Sequence, residues 1–144
     1  MSFQWLHLRI SEEKERRQRE ALTLERLPAA LDELYTILKQ AANAYAEAFG
    51  AESLQSVMLP KRIKITAMEE RDGRWQTASK VEVAIVPDIP GFRIERGEYS
   101  LAVEVGLLPS GKLYYRDREQ DVYLTMEDLT RRILDRTLFP HLPE

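Results

Sequence analysis

From Leu24 onward, apolar side chains return at alternating steps of three and four: Leu24, Leu27, Leu31, Leu34, Leu38, Ala41, Tyr45 and Ala48. This spacing puts all of them on one side of a 3.6-residue helix, and Gly50 follows Phe49 as a stop. A chain with such a stripe must cover it. The three-four spacing suits packing on a sheet or on a second helix. Ala41, Ala48 and Pro28 argue against a long coiled coil and favour packing within the domain.

Two features bound this helix at its N-terminal side. Pro28 lacks the N–H that would reach the carbonyl of Leu24 and disfavours helical angles at Leu27, which predicts a break or kink near Pro28. Further upstream, Ser11 followed by Glu12 and Glu13 predicts a helix start, with the hydroxyl as cap and the carboxylates at the positive end of the dipole. Residues 12–20 offer Glu12–Arg16, Glu13–Arg17 and Glu15–Arg19 at a spacing of four but no apolar face. A straight helix over 12–49 would be ~57 Å long, against a radius of gyration near ~15 Å for a body of this size. Residues 12–20 are therefore expected to overhang and 24–49 to pack.

The remainder alternates with a period of two. Arg62–Glu70 and Trp75–Val86 flank an Asp72-Gly73 hairpin turn, with Ile63, Ile65, Val81, Val83 and Ile85 facing one way. The cluster Pro87–Gly91 reads as a turn, and the stretch through Gly97 as a loop or short edge piece. Tyr99–Leu107, Lys112–Arg116 and Asp121–Leu124 complete the strands, with Pro109-Ser110-Gly111 closing one hairpin. Thr125 and Asp128 form a capping box ahead of a last helix whose apolar side is Met126, Leu129, Ile133 and Leu134. The predicted class is α+β in two layers: a helical N-terminal third, a four- to five-stranded antiparallel meander and a C-terminal helix. Residues 1–22 form an arm and charged helix that can project, and 23–144 a single α+β domain.

A chain of 144 residues buries roughly 70% of its unfolded surface, so this domain holds a core without staples. It has no cysteine, which removes disulfides, thiolate zinc, iron–sulfur clusters and cysteine nucleophiles. The net charge of −3 is evenly distributed, with 9 acids and 7 bases in residues 1–54, which disfavours nucleic acid even though Lys61, Arg62 and Lys64 cluster. The N-terminus lacks the pattern of a signal peptide, and no apolar run approaches the ~18 residues of a membrane span. The expected location is the cytoplasm, with no membrane association.

Catalytic and metal signatures are weak. His7 and His141 sit near the termini without ligand spacing, and no serine occupies a Gly-x-Ser-x-Gly elbow. Asp117, Glu119 and Asp121 alternate like a calcium loop, but Val122 takes the position that needs glycine and Asp128 the one that needs a long carboxylate. They read as a solvated hairpin turn. Neither catalytic residues nor a cofactor or metal site is expected, and the balance leans away from an enzyme.

Two surfaces stand out instead. Phe3, Trp5, Leu6, Leu8 and Ile10 gather large apolar groups in the first ten residues, each gaining roughly 1.5–3 kcal/mol on full burial. They are expected to dock as an edge strand or staple on their own domain, on a neighbouring protein, or, least, on a membrane surface. The second face of the sheet presents Met68, Ala84, Ala102, Tyr114 and Tyr123 among polar residues. It is either exposed, covered by the N-terminal segment, an interface, or a shallow pocket in which a desolvated Glu104 could act. The leading expectation is a non-catalytic interaction or assembly module that forms a homodimer, or binds a protein partner, through its arm. The alternative is a ligand-binding or enzymatic domain with its pocket on the sheet face.

Overall fold

The structure, a computed structural model, describes residues 2–88 and 90–143; Ile89 of the predicted turn, Met1 and Glu144 lie outside the described residues. A single α-helix, α1 (Gln4–Phe49), is followed by a short 3₁₀ turn over Ala51–Ser53. Seven strands come next: β1 (Leu54–Leu59), β2 (Arg62–Arg71), β3 (Arg74–Val86), β4 (Gly91–Arg96), β5 (Tyr99–Leu107), β6 (Leu113–Asp117) and β7 (Val122–Leu124). The helix α2 (Met126–Leu138) closes the chain. The strands form one antiparallel sheet in sequence order, with both helices packed on the same face. The molecule is therefore α+β in two layers.

Four to five strands are predicted and seven form. One of the two additions is β1, at the sheet edge. Its register with β2 turns Ser56 toward the helices and Val57 toward solvent, so the polar and apolar positions are inverted and the alternation does not register as a strand. The other is β4, which is not an edge piece but the middle strand, paired to β3 on one side and β5 on the other. It does alternate, burying Phe92 and Ile94, but six residues between a turn cluster and Gly97 are too few to show it.

The helix differs from expectation at two points. It begins at Gln4, not Ser11, and it runs through Pro28 without a break. The turns on either side of the proline are held to the sheet by fully buried Leu27, Ala30, Leu31 and Leu34. Pro28 itself is exposed, so water can take the carbonyl it leaves open. Replacing Pro28 with Ala restores a backbone hydrogen bond without disturbing a buried contact. The variant is expected to gain about 2 kcal/mol in urea unfolding; an unchanged or lower midpoint would show that the proline shape is needed.

The core lies between the helices and one sheet face. From α1 come Leu27, Leu31, Leu34 and Leu38; from the strands Ile63, Ile65, Val81, Val83, Phe92, Ile94, Leu101, Val103 and Val105; from α2 Leu129, Ile133 and Leu134. The β2–β3 turn has Asp72 at φ 53° and Gly73 at φ 76°, the left-handed pair of a two-residue hairpin that matches strand twist. At the start of α2, Thr125 accepts from the Asp128 N–H while the Asp128 carboxylate accepts from the Thr125 N–H, the reciprocal cap that the sequence predicts. Those bonds, and then Arg132 and Arg131 nearby, hold the Asp128 carboxyl below its usual range.

Asp117 corrects the reading of its turn as solvated. Its side chain is 1% exposed, one oxygen accepts the backbone N–H groups of Glu119 (3.0 Å) and Gln120 (3.2 Å), and the other receives Arg132 Nη1. The turn between β6 and β7 is thus pinned to α2.

Candidate interaction surfaces

The arm is helical from Gln4 onward and does not dock on its own domain as a strand. In α1 the first buried residue is Thr23, so residues 4–22 extend ~28 Å beyond the body. Ion pairs along this segment join Glu12 to Arg9, Glu13 to Arg16 and Arg17, and Glu20 to Arg16. Of the predicted pairs only Glu13–Arg17 forms; Glu13 reaches Arg16 as well, and their two guanidiniums hold its carboxyl down to about 2. Such pairs let a helix stand in water where packing cannot help it.

Beyond the charged turns the tip is apolar. Phe3, Trp5, Leu6, Leu8 and Ile10 are all exposed, Trp5 at 64% and Leu8 at 61%. Phe3, Leu6 and Ile10 follow one another at helical spacing along one side, and Trp5 and Leu8 along another, so the tip carries two apolar strips separated by Arg9 on one side and by Gln4 and His7 on the other. Exposed single apolar residues are ordinary; five within eight positions on a projecting rod are not.

A second apolar surface, not foreseen from the sequence, runs between the C-terminal half of α1 and α2. Ile37, Ala41, Ala44 and Ala48 form one wall and Met126, Leu134 and Leu138 the other of an open groove of about 760 Å³. Tyr45 closes its end, with its ring 4.7 Å from Phe49 and 5.7 Å from Phe139 between centroids. Glu127, Arg131 and Asp135 line the rim. The available signal was the set Ala41, Ala44 and Ala48 at steps of three and four, small residues where a helix face would otherwise be filled.

The five residues proposed for the open sheet face do not converge. Met68 lies on the β2–β3 hairpin past a bulge, opposite Thr77. Ala84 and Ala102 are separated by β4, whose Arg93 rises between them in the same row. Only Tyr114 and Tyr123 meet, edge to face at 5.5 Å, and the Tyr114 ring covers Gly106 on the neighbouring strand. Burial first, and then the charge of Glu104, raises the Tyr114 hydroxyl above its usual pKa. Glu104 itself is ion-paired to Arg116 at 2.8 Å, and Arg116 also reaches Asp121. This corner is a paired polar network flanked by aromatic rings.

Among the described residues, no group of three or more His, Cys, Asp and Glu side chains is placed to hold a metal, and no helix is long and apolar enough to cross a membrane. His7 lies on the exposed arm and His141 near the exposed C-terminus. Comparison with family models, with curated proteins and with solved structures finds no match.

Proposed function

We propose that this protein is a non-catalytic interaction module that self-associates through the helical arm preceding Thr23. The observation that carries the reading is the apolar tip, with Trp5 and Leu8 nearly two-thirds exposed on a helix that makes no use of them in its own fold. Burying Trp5 and Leu8 against a partner contributes roughly 1.5–3 kcal/mol each, enough to offset the loss of freedom on association only if several such groups act together. A homodimer doubles the number.

Light scattering after size exclusion tests this on the full chain. The expected mass is that of a dimer, and the double substitution Trp5→Ser with Leu8→Ser is expected to weaken it by at least about a hundredfold without altering helix content. A chain starting at Thr23 retains every buried core residue and should be a folded monomer. If the full chain is a monomer at all accessible concentrations, self-association through the arm is wrong.

The alternative, a ligand site on the open sheet face, has the Tyr114–Tyr123 pair and the shifted Tyr114 hydroxyl in its favour. Chemical shifts confined to β5–β7 in a small-molecule screen would support it.

A further inference from the structure

β3 outruns one of its neighbours. β2 pairs with it from Arg74 to Ala84 across one bulge, whereas β4 pairs only with Glu82–Val86, so Arg74–Val81 has a strand on one side alone among the described residues. Alternate residues of an antiparallel strand turn their N–H and C=O groups to opposite sides. In this stretch the outward-turned groups meet no backbone partner among the described residues. Residues 74–78 and Lys80 are exposed, so the edge is open to a ligand as well as to water.

A cleft of about 780 Å³ lies along that edge, and its lining is basic. Lys80 comes from β3 itself, Arg96 from the end of β4 and Arg136 from α2. The hydroxyls of Thr66, Thr77 and Ser79 line it too and, among the described residues, no carboxylate does. Arg96 is held with its guanidinium over the Tyr99 ring, 4.7 Å from the centroid, and its Nη1 is buried without an acceptor among the described residues. A buried cationic donor is costly until an anionic acceptor meets it. Glu82 and Glu95 line a different cavity beyond Lys80, where β4 takes over the edge, and Glu82 is already paired with Arg62.

We propose that this edge binds an extended acidic peptide segment of a partner protein, which adds to β3 as a further strand and sets its carboxylates against Lys80 and Arg96. Arg136 adds to the positive field. An extended backbone supplies the donors and acceptors that the open edge lacks, and every second side chain of the peptide reaches the cleft. Charge selects the occupant. A second copy pairing through the same edge would bring Arg74 and Lys80 of both chains together, with no acid in Arg74–Val81 to offset them. A nucleic acid would satisfy the cations but offers no ladder of N–H and C=O groups. The site is separate from the arm and does not depend on self-association.

The test uses the full chain and a blocked octapeptide in which glutamate alternates with valine. Shifts in nitrogen–proton correlation spectra are expected to concentrate in residues 74–81 and at Arg96. Methylating alternate peptide nitrogens keeps the charge and removes donors; one of the two alternate sets faces β3, and its methylation is expected to weaken binding at least about tenfold. Lys80→Glu, at an exposed position, and Arg96→Gln, which breaks no hydrogen bond of the fold, are each expected to weaken binding about tenfold. Equal affinity for the peptide and both methylated forms would overturn the proposal by showing attraction without strand addition. Native affinity in Lys80→Glu, shifts confined to other strands, or no shift at millimolar peptide would overturn it as well. So would a single-stranded oligothymidine that shifts the same amides at lower concentration than the peptide.

Discussion

Asp117→Ala is expected to destabilise the domain by about 3 kcal/mol, lowering the thermal midpoint by roughly 10 °C for a chain of this size. Asp117 is 1% exposed and neutralises Arg132, which is 26% exposed, while its other oxygen satisfies two backbone N–H groups of the β6–β7 turn. Truncation leaves both N–H groups without their acceptor and a partly buried guanidinium with only Gln120 Oε1 at 3.1 Å. Breaking a buried pair typically costs about 3–5 kcal/mol; the partial exposure of Arg132 permits some rehydration and places the effect at the lower end. Asp117→Asn keeps an acceptor for the turn and loses the charge, so about half the effect is expected. Urea unfolding monitored by circular dichroism measures both, and a loss under about 1 kcal/mol for Asp117→Ala would mean that the turn reopens to water.

The second large effect is expected at a glycine. A Cβ on Gly91 would lie 2.1 Å from the carbonyl oxygen of Val103, on the backbone of the strand to which β4 is hydrogen-bonded. The backbone cannot move without separating β4 from β5 at the centre of the sheet, beside fully buried Phe92. Gly91→Ala is therefore expected to cost about 3 kcal/mol, the upper range for overpacking. Gly106 is an instructive contrast, since a Cβ there meets the Tyr114 ring at the same 2.1 Å. That ring is the far end of a side chain on an open face and can swing aside. The identity of the obstacle, not the distance, sets the cost. Comparable losses for alanine at both glycines would refute this distinction.

How much of the fold could be read in advance depended on how local its cause was. The α1 stripe from Leu27 to Leu38, the Asp72-Gly73 hairpin, the β5 span and the Thr125–Asp128 cap are each decided within a few residues, and each forms where the sequence indicates; the end of the stripe, Ala41 to Ala48, faces the open groove instead of packing. Pro28 and Ser11 carry equally local signals, yet neither interrupts nor starts the helix. At Pro28 the local penalty of about 3 kcal/mol is outweighed by the burial of leucines on both sides of it. At Ser11 a continuous run of helix formers lets the helix extend back to Gln4. Among the candidate sites, the apolar tip was legible because five large side chains stand close together in the sequence. The groove was not, because its walls come from α1 and α2, which are far apart in the sequence, and the α1 wall is made largely of alanines.

The sequence by itself determined the two helices, five of the seven strands, the Asp72-Gly73 turn and the charged character of the arm, all consequences of periodicity and of backbone preferences at single residues. Only the tertiary structure decided that β4 is the central strand, that Asp117 is buried and bound, and that α2 lies beside α1 to leave an apolar groove. Those outcomes depend on which surfaces meet, and burial is a property of the pair of elements in contact, not of either alone.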